Sequence, residues 1–102
     1  MKYSNYYNLI LSASKYDNFN EFYLYCGNTN DENNINKYLL IYVYAHEQTC
    51  ESIRRIAKMT RAEFCREYHL PMRTVEDWDA GRREPPKYLL DALAFAVISD
   101  LM

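Results

Sequence analysis

Apolar and polar positions recur along this chain with the spacing of helices, and the pattern predicts an all-α protein. In YSNYYNLILSASKY, Tyr6, Leu9, Ile10 and Ala13 stand at i, i+3, i+4 and i+7, the stripe of an amphipathic helix. Asn18 has the side chain of a helix N-cap and precedes FNEFYLYC, a short second helix that Gly27 would close in the left-handed region. GNTNDENNIN reads as a polar loop, because Asn and Asp side chains compete for backbone hydrogen bonds. The run INKYLLIYVYAHEQ is ambiguous: its Ile, Val and Tyr content suits a strand, whereas Ile35, Leu39, Tyr42, Val43 and His46 fit one helical face. The acidic residues of DEN stand where a helix dipole favours them, and no other segment offers a strand partner, so the run is read as helix.

From Thr49 onward the boundary signals sharpen. Thr49 can cap CESIRRIAK, and Thr60 can cap RAEFCREYH with Glu63 at the capping-box position. Leu70 and Pro71 force a turn, with Pro71 opening MRTVEDWDA. Gly81 suits the end of that helix, and Pro85 and Pro86 open the last one, PKYLLDALAFAVISDLM. Its Leu89, Leu90, Leu93, Phe95, Ala96, Val97, Ile98 and Leu101 fall on at least two faces. One face would complete the local core, and another is left for the N-terminal helices or a second subunit. A chain of 102 residues predicts a single core, which a helical, tyrosine-rich extension (residues 1–48) and a C-terminal domain (residues 49–102) would share.

Charge and cysteine usage narrow the function classes. The net charge of −2 argues against indiscriminate binding to polyanions, but it hides an asymmetry. Residues 50–90 hold nine Lys/Arg against seven Asp/Glu, while residues 1–49 hold three against five and residues 91–102 none against two. A solvated surface explains that mild polarity as readily as a nucleic-acid face does. Cys26, Cys50 and Cys65 show neither zinc-site spacing nor a disulfide framework, which fits a reducing, cytoplasmic setting. Cys65 and His69 stand four apart, yet two ligands are too few for a metal, and no metal or other cofactor is expected. The start of the chain is not that of a leader, and YLLIYVYA is too short to span a bilayer. His46 and His69 lie far apart, no catalytic or phosphate-loop pattern is present, and an enzyme is not expected.

The segment TRAEFCREYHLPMRTVEDWDAGRREPPKYLLDAL resembles a helix-turn-helix of the Cro/repressor type, the XRE family, over roughly residues 50 to 95. The resemblance rests on Thr60, Glu63, Phe64, Leu70, Thr74, Val75, Trp78, Asp79, Gly81, Arg82 and the two prolines, with Cys65 where the family usually has alanine. It is strongest to proteins of phages and mobile elements whose motif ends with RT, W, G, R, PP and Y in that order. It implies a lambda-repressor-like helix-turn-helix bundle in the C-terminal half. His69 takes the turn position that usually carries glycine; histidine enters positive φ more readily than most side chains. Phe64, Leu70, Val75 and Trp78 would lock the two helices together, with Cys65 small beneath the crossing helix.

What the resemblance implies is a sequence-specific, double-stranded DNA-binding regulator, a dimeric repressor with the second helix of the motif in the major groove. By position Met72, Arg73, Glu76 and Asp77 would contact bases, and Arg73 has the fork that fits guanine O6 and N7. Arg61, Thr74, Arg82, Arg83 and Lys87 would contact phosphates, whereas Arg54, Arg55 and Lys58 read as an outer helix face. Glu76 and Asp77 are the difficulty, since phosphates repel carboxylates. They would accept from cytosine N4, or Glu76 would pair within the chain to Arg73 or Arg83. A homodimer is expected, because twofold operators match twofold proteins. The competing reading is a protein-interaction module, an antitoxin or phage-encoded inhibitor, using the EDWD run and the tyrosines; the N-terminal half is open to serving as packing support, as a dimer surface or as the site of a regulator or target protein.

Overall fold

The computed structural model describes residues 2–27 and 32–101, and all regular structure among them is helical. The helices are α1 (Tyr3–Ala13), α2 (Phe19–Tyr25), α3 (Glu32–Glu47), α4 (Cys50–Ala57), α5 (Arg61–Glu67), α6 (Met72–Asp79) and α7 (Lys87–Asp100). Local chemistry sets most of their ends. The Asn18 side chain accepts from the Glu21 N–H, Thr49 accepts from Ser52, and Thr60 with Glu63 forms a complete capping box. Pro71 and Pro86 stand just before α6 and α7, where a missing N–H leaves no helical bond unmade.

The α3 helix is the hub, packed against α1, α2, α4 and α7. It is helical as its pattern predicts, but a different face is buried. Leu40, Ile41, Tyr44 and Ala45 are the buried residues, while Leu39, Tyr42 and Val43 are half-buried flanks and Ile35 and His46 are exposed. A helix with neighbours on several sides cannot be read as having one stripe. The Tyr42 hydroxyl donates to the Tyr16 carbonyl at 3.0 Å, and His46 Nε2 lies 3.0 Å from the Ala13 carbonyl oxygen, so this flank ties α3 to the end of α1. The α3 helix also begins at Glu32, inside the segment read as loop; the apolar run from Ile35 extends its register backward into polar sequence. Asn28–Asp31, the rest of that loop reading, lie outside the described residues.

One hydrophobic core receives side chains from all seven helices, so residues on both sides of position 48 share it. Much of the tyrosine content is packing: Phe22 and Phe19 of α2 set their rings against Tyr42 at 6.0 and 5.9 Å, and Tyr16 meets Phe22 at 6.0 Å. The α7 helix buries Leu90, Leu93, Ala94, Val97 and Ile98, and its Phe95 edge packs on Tyr3 and Tyr6 of α1. Inside this core the Tyr44 hydroxyl donates to Asp91, whose carboxylate also takes Lys87 at 3.3 Å, so the buried acid is satisfied. Burial and this carboxylate together push the Tyr44 phenol well above its ordinary pKa, so it stays a donor.

Between α5 and α6 the chain turns through His69, whose φ of 56° lies in the left-handed region, and the Leu70 N–H returns to the Cys65 carbonyl at 2.9 Å. Replacing His69 by glycine is therefore expected to stabilise the protein by about 1 kcal/mol, because a side chain at positive φ is strained and glycine is not. Chemical denaturation checks this. A midpoint that falls would show that the gain in unfolded-state entropy outweighs the relieved strain.

Candidate nucleic-acid interface

The α5 and α6 helices pack on one another, and α6 also packs on α4. Phe64 and Val75 are fully buried at this contact, while Leu70 and Trp78 are half-buried against the same core. Cys65 is buried beneath α6 with its Sγ 3.9 Å from Met72 Sδ, a small side chain where the next helix begins. These contacts fix which side of α6 faces outward.

Arg73 points into solvent with its side chain 86% exposed, and Met72 is 40% exposed beside it. Glu76 and Thr74 are half-buried on the flanks. Asp77 departs from its expected place. It is buried, with Oδ1 accepting from Arg82 Nε at 2.8 Å, while Arg73 Nε stands 3.9 Å from Oδ1 and Arg83 Nε 4.0 Å from Oδ2 as ion pairs. The bond from Arg82 above all holds its carboxyl below the usual range, against the opposing effect of burial, so it is a charged internal anchor and not an outward acceptor for cytosine. The ion pairing expected of Glu76 is made by Asp77 instead.

Asp79 plays a second such part. Its Oδ2 accepts from Arg54 at 2.6 Å and from Arg61 at 2.9 Å, while its Oδ1 and Arg54 Nε are buried without a partner. Arg61, expected on phosphate, thus spends its Nε on α6, and Arg54, read as outer surface, is mostly buried with its side chain 14% exposed. Lys87 reaches back to Asp91 yet keeps its side chain 58% exposed. The structure gathers Arg73, Arg82 and Arg83 around one carboxylate, and Arg54 and Arg61 around another. Helical spacing shows only the Arg73–Asp77 pair of the first cluster and nothing of the second, because Asp79 lies 25 residues from Arg54 and 18 from Arg61.

No family model, curated protein or solved structure matches the chain. A cavity of about 640 Å³ opens beside the end of α6, walled by Tyr44, Cys50, Trp78, Asp79, Pro85 and Leu90 among others. Three of its carboxylates are already engaged: Glu47 and Glu51 hold Arg55, and Asp79 holds Arg54 and Arg61 through Oδ2. Burial pushes the Cys50 thiol up to about 11, so at neutral pH it is protonated and a poor nucleophile. Among the described residues no group of three His, Cys, Asp or Glu could hold a metal ion, and no helix is long and apolar enough to cross a membrane.

Proposed function

We propose that this protein is a sequence-specific, double-stranded DNA-binding regulator of the helix-turn-helix XRE type, acting as a homodimer with α6 as its reading helix. The observation that carries the reading is the sorting of charge on α6. Asp77 and Asp79 turn inward onto arginines, while Arg73, Arg82 and Arg83 keep side chains 86%, 59% and 78% exposed on the outside. A surface so arranged suits phosphate and guanine, and it takes two carboxylates away from the EDWD run on which a protein-binding reading would lean. Arg73 and Met72 are the base-reading pair, and Arg82, Arg83 and Lys87, in or next to the link between α6 and α7, grip the backbone. The half-buried Thr74 and Glu76 flank the reading face.

Selection of bound duplexes from a random library would supply the operator. On it, Arg73→Ala is expected to weaken binding by about 1–3 kcal/mol and to relax choice at one base pair. Arg83→Ala is expected to weaken all duplexes alike and to lower the salt slope by about one. An Arg73→Ala protein that discriminates operator from scrambled duplex as well as the parent does would refute the assignment of α6. Failure of the parent to retain any duplex at low salt would refute DNA binding altogether.

A further inference from the structure

We infer that α1 and the outer face of α7 form one continuous surface on which a second copy of this chain docks about a twofold axis. This deepens the dimer element of the proposed function and rests on it only for the expectation that a dimer forms. On α1, Tyr3, Tyr7 and Leu11 stand at i, i+4 and i+8 and remain 42%, 40% and 48% exposed. On α7, Tyr88, Ala92 and Phe95 share a face, with Tyr88 77% exposed. The Tyr3 ring meets Phe95 edge-on at 5.3 Å, which joins the two stripes.

Charge decides the occupant. Between Lys2 and Lys15 the chain carries no charged residue, and between Lys87 and Asp100 the one it carries, Asp91, is buried on Tyr44 and Lys87. In a chain that is 25% charged, the outer faces of both helices thus carry no charge between their flanking residues, Lys2 and Lys15 on α1 and Lys87 and Asp100 on α7. A partner with a charged docking face would have its ions desolvated opposite side chains unable to answer them. A second copy brings the same uncharged stripe, self-complementary about a twofold, and its net charge of −2 resides elsewhere. Tyrosine, with an apolar ring and a hydroxyl that stays hydrated at the rim, is the aromatic side chain such interfaces favour. The exposed Leu24 and Tyr25 of α2 lack this character, because Glu21 shares their helix face. The α6 helix packs on α4 and α5, so a dimer built on this surface leaves both copies of Arg73 free.

Sedimentation velocity of the full chain without DNA, over about 1 to 100 µM, tests this. The parent is expected to dimerise, and Tyr7→Lys with Leu11→Lys to raise the dissociation constant at least about 100-fold. Unchanged helical circular dichroism and melting would show that this variant stays folded. Should it unfold, Tyr88→Lys on the other stripe is expected to act in the same direction. Leu24→Lys is expected to leave the dimer intact. A parent that is monomeric throughout, or a dimer that survives the charges on both stripes, overturns the inference. Duplex binding is read in a separate experiment, so its failure would leave the docking surface standing, and a monomer that binds DNA would remove the surface alone.

Discussion

Replacing Asp79 by alanine is expected to destabilise the protein by about 3–5 kcal/mol, with a fall in melting temperature of at least roughly 12 °C. The Asp79 side chain is 10% exposed and Arg54 is 14% exposed, so their 2.6 Å contact is shielded from water on both sides. Without the carboxylate, Arg61, which is 43% exposed, can swing into solvent, but Arg54 cannot leave α4 and would stay buried with no counter-charge. The loss is thus mainly the penalty of an abandoned charge, not the worth of the pair. A double-mutant cycle separates the two: Arg54→Met in the Asp79→Ala background is expected to recover a large part of the loss, because an apolar side chain suits the emptied space. Denaturant melts of the four proteins give the coupling. If Asp79→Ala costs less than about 1 kcal/mol, the pair behaves as an ordinary surface ion pair and α6 is anchored by something else.

That cluster also marks the limit of what the amino-acid order reveals. Features whose cause lies within four residues are legible: the caps at Asn18, Thr49 and Thr60, the proline-led starts of α6 and α7, and the turn through His69 at φ 56°. Each is a local contest between side chain and backbone, and the sequence names both contestants. The buried face of α3 is not legible, because it depends on where α1, α2, α4 and α7 arrive, and its apolar and aromatic residues would suit several sides. Asp79 is equally opaque, whereas Asp77 stands four residues from Arg73 and its shorter bond, from Arg82, comes from beyond the helix. A carboxylate at a helix surface position is assigned to water or ligand by default, and only the approach of Arg54 and Arg61 from α4 and α5 turns Asp79 inward. Trp78 shows a milder version of the same effect: expected to lock the helix pair, it is half-buried and walls the cavity where the chain leaves α6. Arg73 was legible as an outward residue because nothing apolar flanks its side of α6 except Met72, itself 40% exposed.

The second large effect concerns the contact that sets the aim of α6. Phe64→Ala is expected to cost about 3–5 kcal/mol, since Phe64 is fully buried and its removal leaves a void that the surrounding helices can close only in part. Its ring lies 5.2 Å from that of Tyr68, whose hydroxyl donates to Asp100 at 2.8 Å, so the void would also loosen the hold of α5 on the end of α7. Phe64→Leu, which keeps most of the volume, is expected to cost less than half as much. Thermal melts rank the two. Under the proposed function the losses of binding also differ in kind: Phe64→Ala lowers affinity for operator and scrambled duplex together, by the fraction of molecules no longer folded, and lower temperature restores both. Arg73→Ala leaves the melt unchanged and lowers affinity for the operator alone. A Phe64→Ala protein that melts as the parent does would mean that α5 and α6 are held at their present angle by Val75 and the Asp79 cluster without it, and the packing account of the reading helix would fail.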